Sequence, residues 1–350
     1  MKKNIILSTL LLSATLINAQ NIVDIQLPKV PEVPKVEAEV PQVNTIYNDD
    51  TNLSTTAPTI SDNQKILEQF GKKKVHFSNH VAPVLMEVKN TTSKEIQAGD
   101  ITNGRVAAYL HSDYMEVKDV KAKLLEAGFN IKSTFKLDKK GMITSIVYTN
   151  VSLIKAASKP GRGFAATLRI TVDKKDKVVS ISNPIYILKA FLQTDYDKKV
   201  AQETLESLRK AFGDVKNSQE MVKFSSLENF QFMEGMPKYQ DMQIIAEAKN
   251  DILLNKARKS KKLVFEQKLE NKSILVGVKL GRRTSKFIKK TGYVNAGLLP
   301  YPVLIENNQA KILDPKYYIA VMYPMLKMSQ FMTIATVPGA INKDIDRIFR

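Results

Sequence analysis

From about residue 61 the chain alternates between two spacings of apolar side chains. "VKDVKAKLLEAG" sets Val117, Val120, Leu124 and Leu125 at helical intervals and stops on Gly128, which predicts a helix closed by glycine. "FNIKSTFKLD" and "MITSIVYTN", joined by "KKG", predict a hairpin. "VSLIKAASK" reads as a short helix ended by "PGRG", and "FAATLRITVD" with "KVVSISN" as a second hairpin. "PIYILKAFLQ" starts a helix with proline in its first turn, and "DYDKKVAQETLESLRKAFG" is a longer helix ended by Gly213. Beyond residue 214 the patterns return. "IIAEAKNDILLNKARKS" predicts a helix, "KLVFEQKL" and "SILVGVKL" paired strands, and "RTSKFIKKTG" a short helix. "LLPYPVLIE" and "AKILD" predict a hairpin around "NNQ", and "PKYYIAVMYPMLKMSQF" a closing helix. Upstream, "SDNQKILEQF" reads as a short helix and "KVHFSNHVAPVLMEV" as extended chain.

Sliding the chain on itself by 131 residues matches Gly161 with Gly292, Leu168 with Leu299, Val172 with Val303 and Ile181 with Ile312. The same shift matches Asn183-Pro184 with Asp314-Pro315 and Tyr186 with Tyr317. A period of this length is domain-sized, not a solenoid repeat. The expectation is an α+β protein of two related domains, each an antiparallel sheet with helices packed on one face. The first spans 61–213 with an N-terminal extension, the second 214–350.

The N-terminal region has a different grammar. "MKKNIILSTLLLSATLINAQ" has two lysines, an apolar run and small residues before Gln20, the pattern of a secretory signal peptide over 1–19. Prolines at 28, 31, 34 and 41 make 20–60 a Pro-rich, disordered linker with no face to pack. No later run is long and apolar enough to span a bilayer, so the mature chain is expected to be periplasmic, without a transmembrane segment.

The order of elements, with "LLP" opening a hairpin strand and Asp-Pro or Asn-Pro starting the next helix, resembles the bacterial domain-of-unknown-function 302 family. "GLLPYPVLIENNQAKILDPKYYIAVM" carries the resemblance best, and residues 161–191 form a weaker copy. It implies a TATA-binding-protein-like α+β arrangement in two diverged copies and supplies no reaction. Many members of that family have a cysteine after "LLP"; Tyr301 stands there in this chain.

Composition narrows the chemistry. The chain has no cysteine, which removes disulfides, thiol nucleophiles and zinc–cysteine sites. Its formal net charge is +18, and residues 256–290 concentrate it in Arg258, Lys259, Lys261, Lys262, Arg282, Arg283, Lys286, Lys289 and Lys290 against Glu266 and Glu270. Such a run is either a solvated face or a patch for an anionic envelope surface or small ligand. Nucleic acid is not an expected partner, because few aromatics are interleaved for stacking.

His76 and His80 have helical metal spacing, but in an extended segment their rings stand about 13 Å apart. Met322, Met325, Met328 and Met332 fall on one wedge of the expected closing helix, as core filler or as soft ligands for copper. Arg162, Arg169, Tyr186 and Tyr317 are candidate ligand-binding residues near the repeated joint. No Gly-x-Ser-x-Gly or His-Glu-x-x-His is present, which leaves an unrecognised carboxylate pair as the only hydrolase route. The leading expectation is an exported, non-enzymatic binding or envelope-associated protein, with a copper carrier and a hydrolase as alternatives.

Overall fold

The computed structural model describes residues 96–294 and 296–350. The expected signal peptide and linker, the helix and extended stretch expected before residue 89, and His76 and His80 lie outside the described residues. In chain order the elements are β1 (Arg105–Ala107), β2 (Tyr109–Asp113), α1 (Val117–Glu126), β3 (Asn130–Lys136), β4 (Ile143–Thr149) and α2 (Val151–Ala157). Then come β5 (Leu168–Asp173), β6 (Val178–Ser182), α3 (Pro184–Leu192), α4 (Lys198–Phe212), β7 (Lys216–Asn217) and β8 (Met221–Lys223). The rest of the chain supplies β9 (Gln243–Glu247), α5 (Asn250–Lys259), β10 (Leu263–Lys268), β11 (Ile274–Val278) and α6 (Ile288–Thr291). It ends with β12 (Tyr301–Glu306), β13 (Gln309–Ile312), α7 (Pro315–Met322), α8 (Met328–Met332) and α9 (Val337–Phe349).

Local chemistry sets these boundaries. The Asn183 side chain accepts from Ile185 N–H at 3.0 Å and Asp314 from Lys316 N–H at 2.8 Å, so α3 and α7 begin alike, each with a polar cap followed by proline. Asn307 and Asn308 both take positive φ, 53° and 62°, as the two-residue turn between β12 and β13 requires.

The structure is α+β with antiparallel sheets. One sheet runs β3-β4-β5-β6-β2-β7 and another β10-β11-β12-β13-β9, while β1 and β8 pair separately. Without the two-residue β7, the two orders correspond strand for strand. Both β3 and β10 carry a bulge at the matching rung, Lys132 opposite Tyr148 and Val147, Val264 opposite Val278 and Gly277. In the first sheet α1 lies on β3 and β4, with α4 packed on α1 and α3; in the second α5 lies on β12 and β13, with α9 packed on α5 and α7.

Several expectations are corrected. Each sheet includes a leading strand, β2 and β9, that the pattern did not reveal. Residues 244–247, expected as helix, pair with β13 instead, Ala246 opposite Ala310. Gly163–Ala166 is a 3-10 turn, not the start of β5. The closing helix is broken after Met322, because Pro324 has no N–H and its ring would strike the Ala320 carbonyl; α8 and α9 follow separately. The constant shift of 131 holds for β6 and β13 and for α3 and α7. It fails by two residues between β5 and β12, since one hairpin turn is Lys174–Lys177 and the other Asn307–Asn308. A two-residue slip keeps every side chain on its original face.

Candidate functional site

The first sheet has unlike faces. Leu110, Ile146, Ile170, Val172, Val179 and Ile181 form its buried apolar side. On the other side Ser145, Thr171, Ser180 and His111 stand in one cross-strand row. A largely buried polar row needs partners, and the chain leading into β12 supplies acceptors for Ser145 and for Arg169 on the same face. Ser145 Oγ donates to the Leu299 carbonyl at 2.8 Å, and Arg169 Nη2 to the Pro300 carbonyl at 3.4 Å. Gly297 fits because a Cβ there would come within 3.3 Å of Ser182 Oγ.

The second sheet receives the matching segment of the first half. Gly161 N–H donates to both carboxylate oxygens of Glu306, at 3.0 and 3.1 Å, and a Cβ on Gly163 would overlap the Leu304 side chain. Tyr186 donates to the Val321 carbonyl at 2.7 Å, and Tyr317 to the Ala190 carbonyl at 3.5 Å. These two bonds are reciprocal under the shift of 131. Both rings are buried, and burial pushes both phenols well above their ordinary range. Arg162 is likewise occupied: its Nε donates to Asp195 at 2.9 Å, its guanidinium lies 5.6 Å from the Tyr239 ring centre, and it holds the Asp195 carboxyl below the usual carboxylate range. Arg169 is buried, and its Nε has no partner among the described residues. The four candidate ligand residues therefore sit in or beside the joint between the two halves.

A cavity lies at another part of that joint. It holds about 660 Å³ and is built by the end of β3 and the turn after it, the stretch 279–293, and Leu299. Phe135, Leu137, Leu280, Ile288, Tyr293 and Leu299 make its apolar lining. Around them stand seven cations, Lys136, Lys139, Lys140, Lys279, Arg282, Lys286 and Lys289, with Asp138 as the single carboxylate among the described residues. All seven are exposed, and none has an ion-pair partner among the described residues. Asp138 does not neutralise them freely, because its oxygens accept from Ile143 N–H at 3.0 Å and Lys140 N–H at 3.1 Å to shape the turn. Partial burial, with the charges of Asp138 and Asp173, raises the Tyr293 phenol, which therefore stays neutral at ordinary pH.

The basic run thus divides. Arg282, Lys286 and Lys289 line the cavity. Arg258 makes a double hydrogen bond with Glu266, at 2.9 and 2.8 Å, and Lys290 donates to the Thr333 carbonyl. Lys259, Lys261, Lys262 and Arg283 are surface side chains outside the lining. Sequence reasoning missed Lys136, Lys139, Lys140 and Lys279, although "KLDKKG" is a visibly basic turn; its adjacency to residues 279–289 exists only in the fold.

The methionines do not share one helix face. Met322 ends α7 and is buried, whereas Met325, Met328 and Met332 are 59, 39 and 63 % exposed. His111 stands on β2 with Nε2 lacking a partner among the described residues. No three His, Asp or Glu side chains converge to hold a metal ion among the described residues, and no helix there is long and apolar enough to cross a membrane. Comparison with known protein families, with curated proteins and with solved structures returns no match.

Proposed function

We propose that this protein is an exported, periplasmic, non-enzymatic binding protein, and that its ligand is an anion held at the basic cavity. The observation that carries the reading is the set of seven cations, without an ion-pair partner among the described residues, that line one concave, apolar site. Like charges brought together repel one another, so such a set costs stability unless an anion completes it. A cavity of this size also falls in the range of small-molecule sites, roughly 300–1,000 Å³. The leader-like start of the chain supports export. We further propose that the halves are diverged copies of one unit, akin to the domain-of-unknown-function 302 family. The matching strand orders, the matching bulges and the reciprocal tyrosine bonds support that reading. In it, the cavity arises where the copies join.

The test uses anilinonaphthalene sulfonate, an anion with an aromatic body whose emission rises in apolar sites. The native protein should bind it saturably, and R282E/K286E/K289E should weaken binding by about tenfold or more, since each reversal replaces attraction by repulsion close to the probe. Circular dichroism of the variant checks that the fold persists. Equal binding by the variant would refute the reading.

A second reading has its own observation. Met325, Met328 and Met332 fill no core, so their thioethers are free to serve as soft ligands for Cu(I). Titration with Cu(I) and a competing chelator tests it; a triple leucine variant with an unchanged endpoint would end it.

A further inference from the structure

We infer that the anion is the head of an amphiphile, with a hydrocarbon tail that enters the cavity while a phosphate, sulfate or carboxylate head stays at its mouth. This inference rests on the anion-binding reading and deepens it. The walls carry two characters, apolar and cationic. Of the apolar lining, Leu280, Ile288 and Leu299 are almost fully buried, and Phe135 and Leu137 are partly exposed. Each of the seven cations is at the surface. Lysine and arginine stems reach along apolar surface while the charge stays in water, which puts the ammonium and guanidinium groups around the opening.

A small free anion would leave the apolar lining unused, because Ser285 and Tyr293 are the only hydroxyls on it among the described residues and all seven cations are exposed. A polyanion such as nucleic acid or acidic glycan would engage the rim and leave the apolar floor exposed. Only a ligand with both characters uses both parts of the wall. The turn after β3 belongs to one half and the stretch 279–293 to the other, so the cation ring is complete only when both are in place.

The experiment compares ligands on the intact protein by titration calorimetry: decyl phosphate, inorganic phosphate, decyl maltoside and heparin, each amphiphile below its micelle concentration. Decyl phosphate should bind at least about tenfold more tightly than inorganic phosphate, because burial of only a few methylenes supplies that factor, and at least about tenfold more tightly than decyl maltoside, whose identical tail lacks a charge for the cations to attract. L137D should shrink the advantage of decyl phosphate over inorganic phosphate, while its added carboxylate weakens the binding of both. If inorganic phosphate or heparin binds as tightly as decyl phosphate, the amphiphile inference fails and the anion site stands. If decyl maltoside matches decyl phosphate, or if no anion binds, both fail. Vesicles containing phosphatidylglycerol form a further arm. Competition between them and decyl phosphate identifies a bilayer lipid as the source of the head group, and its absence identifies a free amphiphile. The ligand series decides the matter even if L137D does not fold.

Discussion

Replacing Tyr186 by phenylalanine removes one oxygen from a place where water cannot substitute for it. That hydroxyl donates to the Val321 carbonyl at 2.7 Å, and both residues are buried. Val321 lies in the last turn of α7, so its carbonyl has no partner within the helix. The change therefore loses a hydrogen bond of roughly 0.5–1.5 kcal/mol and strands an acceptor, for a total cost of about 1–3 kcal/mol. The reciprocal change, Tyr317→Phe, should cost less, for two reasons. Its bond to the Ala190 carbonyl is longer, 3.5 Å, and that carbonyl also accepts from Gln193 Nε2. At about 2–4 °C per kcal/mol for a chain of this size, Y186F should lower the melting temperature by several degrees and Y317F by no more than about two. Thermal unfolding followed by circular dichroism measures both. A Y186F variant as stable as the native protein would refute the assignment, as would a Y317F variant more damaged than Y186F.

Other expectations follow from the same joint and core. Gly163→Ala should destabilise by about 1–3 kcal/mol, because the new methyl overlaps Leu304 and lies 3.1 Å from Leu269 in a packed seam; unchanged urea stability would contradict that close approach. Alkali should unfold the protein through its buried tyrosines. Tyr109, Tyr148, Tyr186, Tyr239, Tyr301, Tyr317, Tyr318 and Tyr323 all have phenols raised by burial. The unfolded chain gives up these protons first, so stability is full below about pH 10 and falls above it by up to about 1.4 kcal/mol per pH unit for each tyrosine. Ultraviolet titration should then show most tyrosines ionising only on unfolding, whereas gradual ionisation in the folded protein would count against it. Asp195→Asn should release Arg162 and lower stability by no more than about 1 kcal/mol, given the partial exposure of the carboxylate.

The α+β class was legible because α1, α4 and the four hairpin strand pairs each obey a single period over enough residues. The leading strands were hidden for a physical reason. β2 carries Tyr109, His111 and Ser112 on a sheet buried from both sides, so it lacks clean alternation, and β9 is an edge strand fused in sequence to a helix. The break at Pro324 was readable and overlooked, since proline inside a helical pattern stops the helix one residue earlier. Tyr186 and Tyr317 drew attention as a matched pair, but a repeat alone cannot say whether matched residues meet a ligand or each other's backbone. The cavity was half visible. Arg282, Lys286 and Lys289 stood in a conspicuous run, while Lys136, Lys139 and Lys140 looked like an ordinary hairpin turn until folding set them beside it.

The most direct measurement is the affinity of decyl phosphate across a salt series. Exposed cations act on a bound anion through solvent, over a screening length of about 10 Å at 0.1 M salt that shrinks to about 3 Å at 1 M. Affinity should fall at least about tenfold over that range, with the change lost in R282E/K286E/K289E. Affinity that stays constant with salt, or the absence of any binding at low salt, would contradict the anion-binding reading.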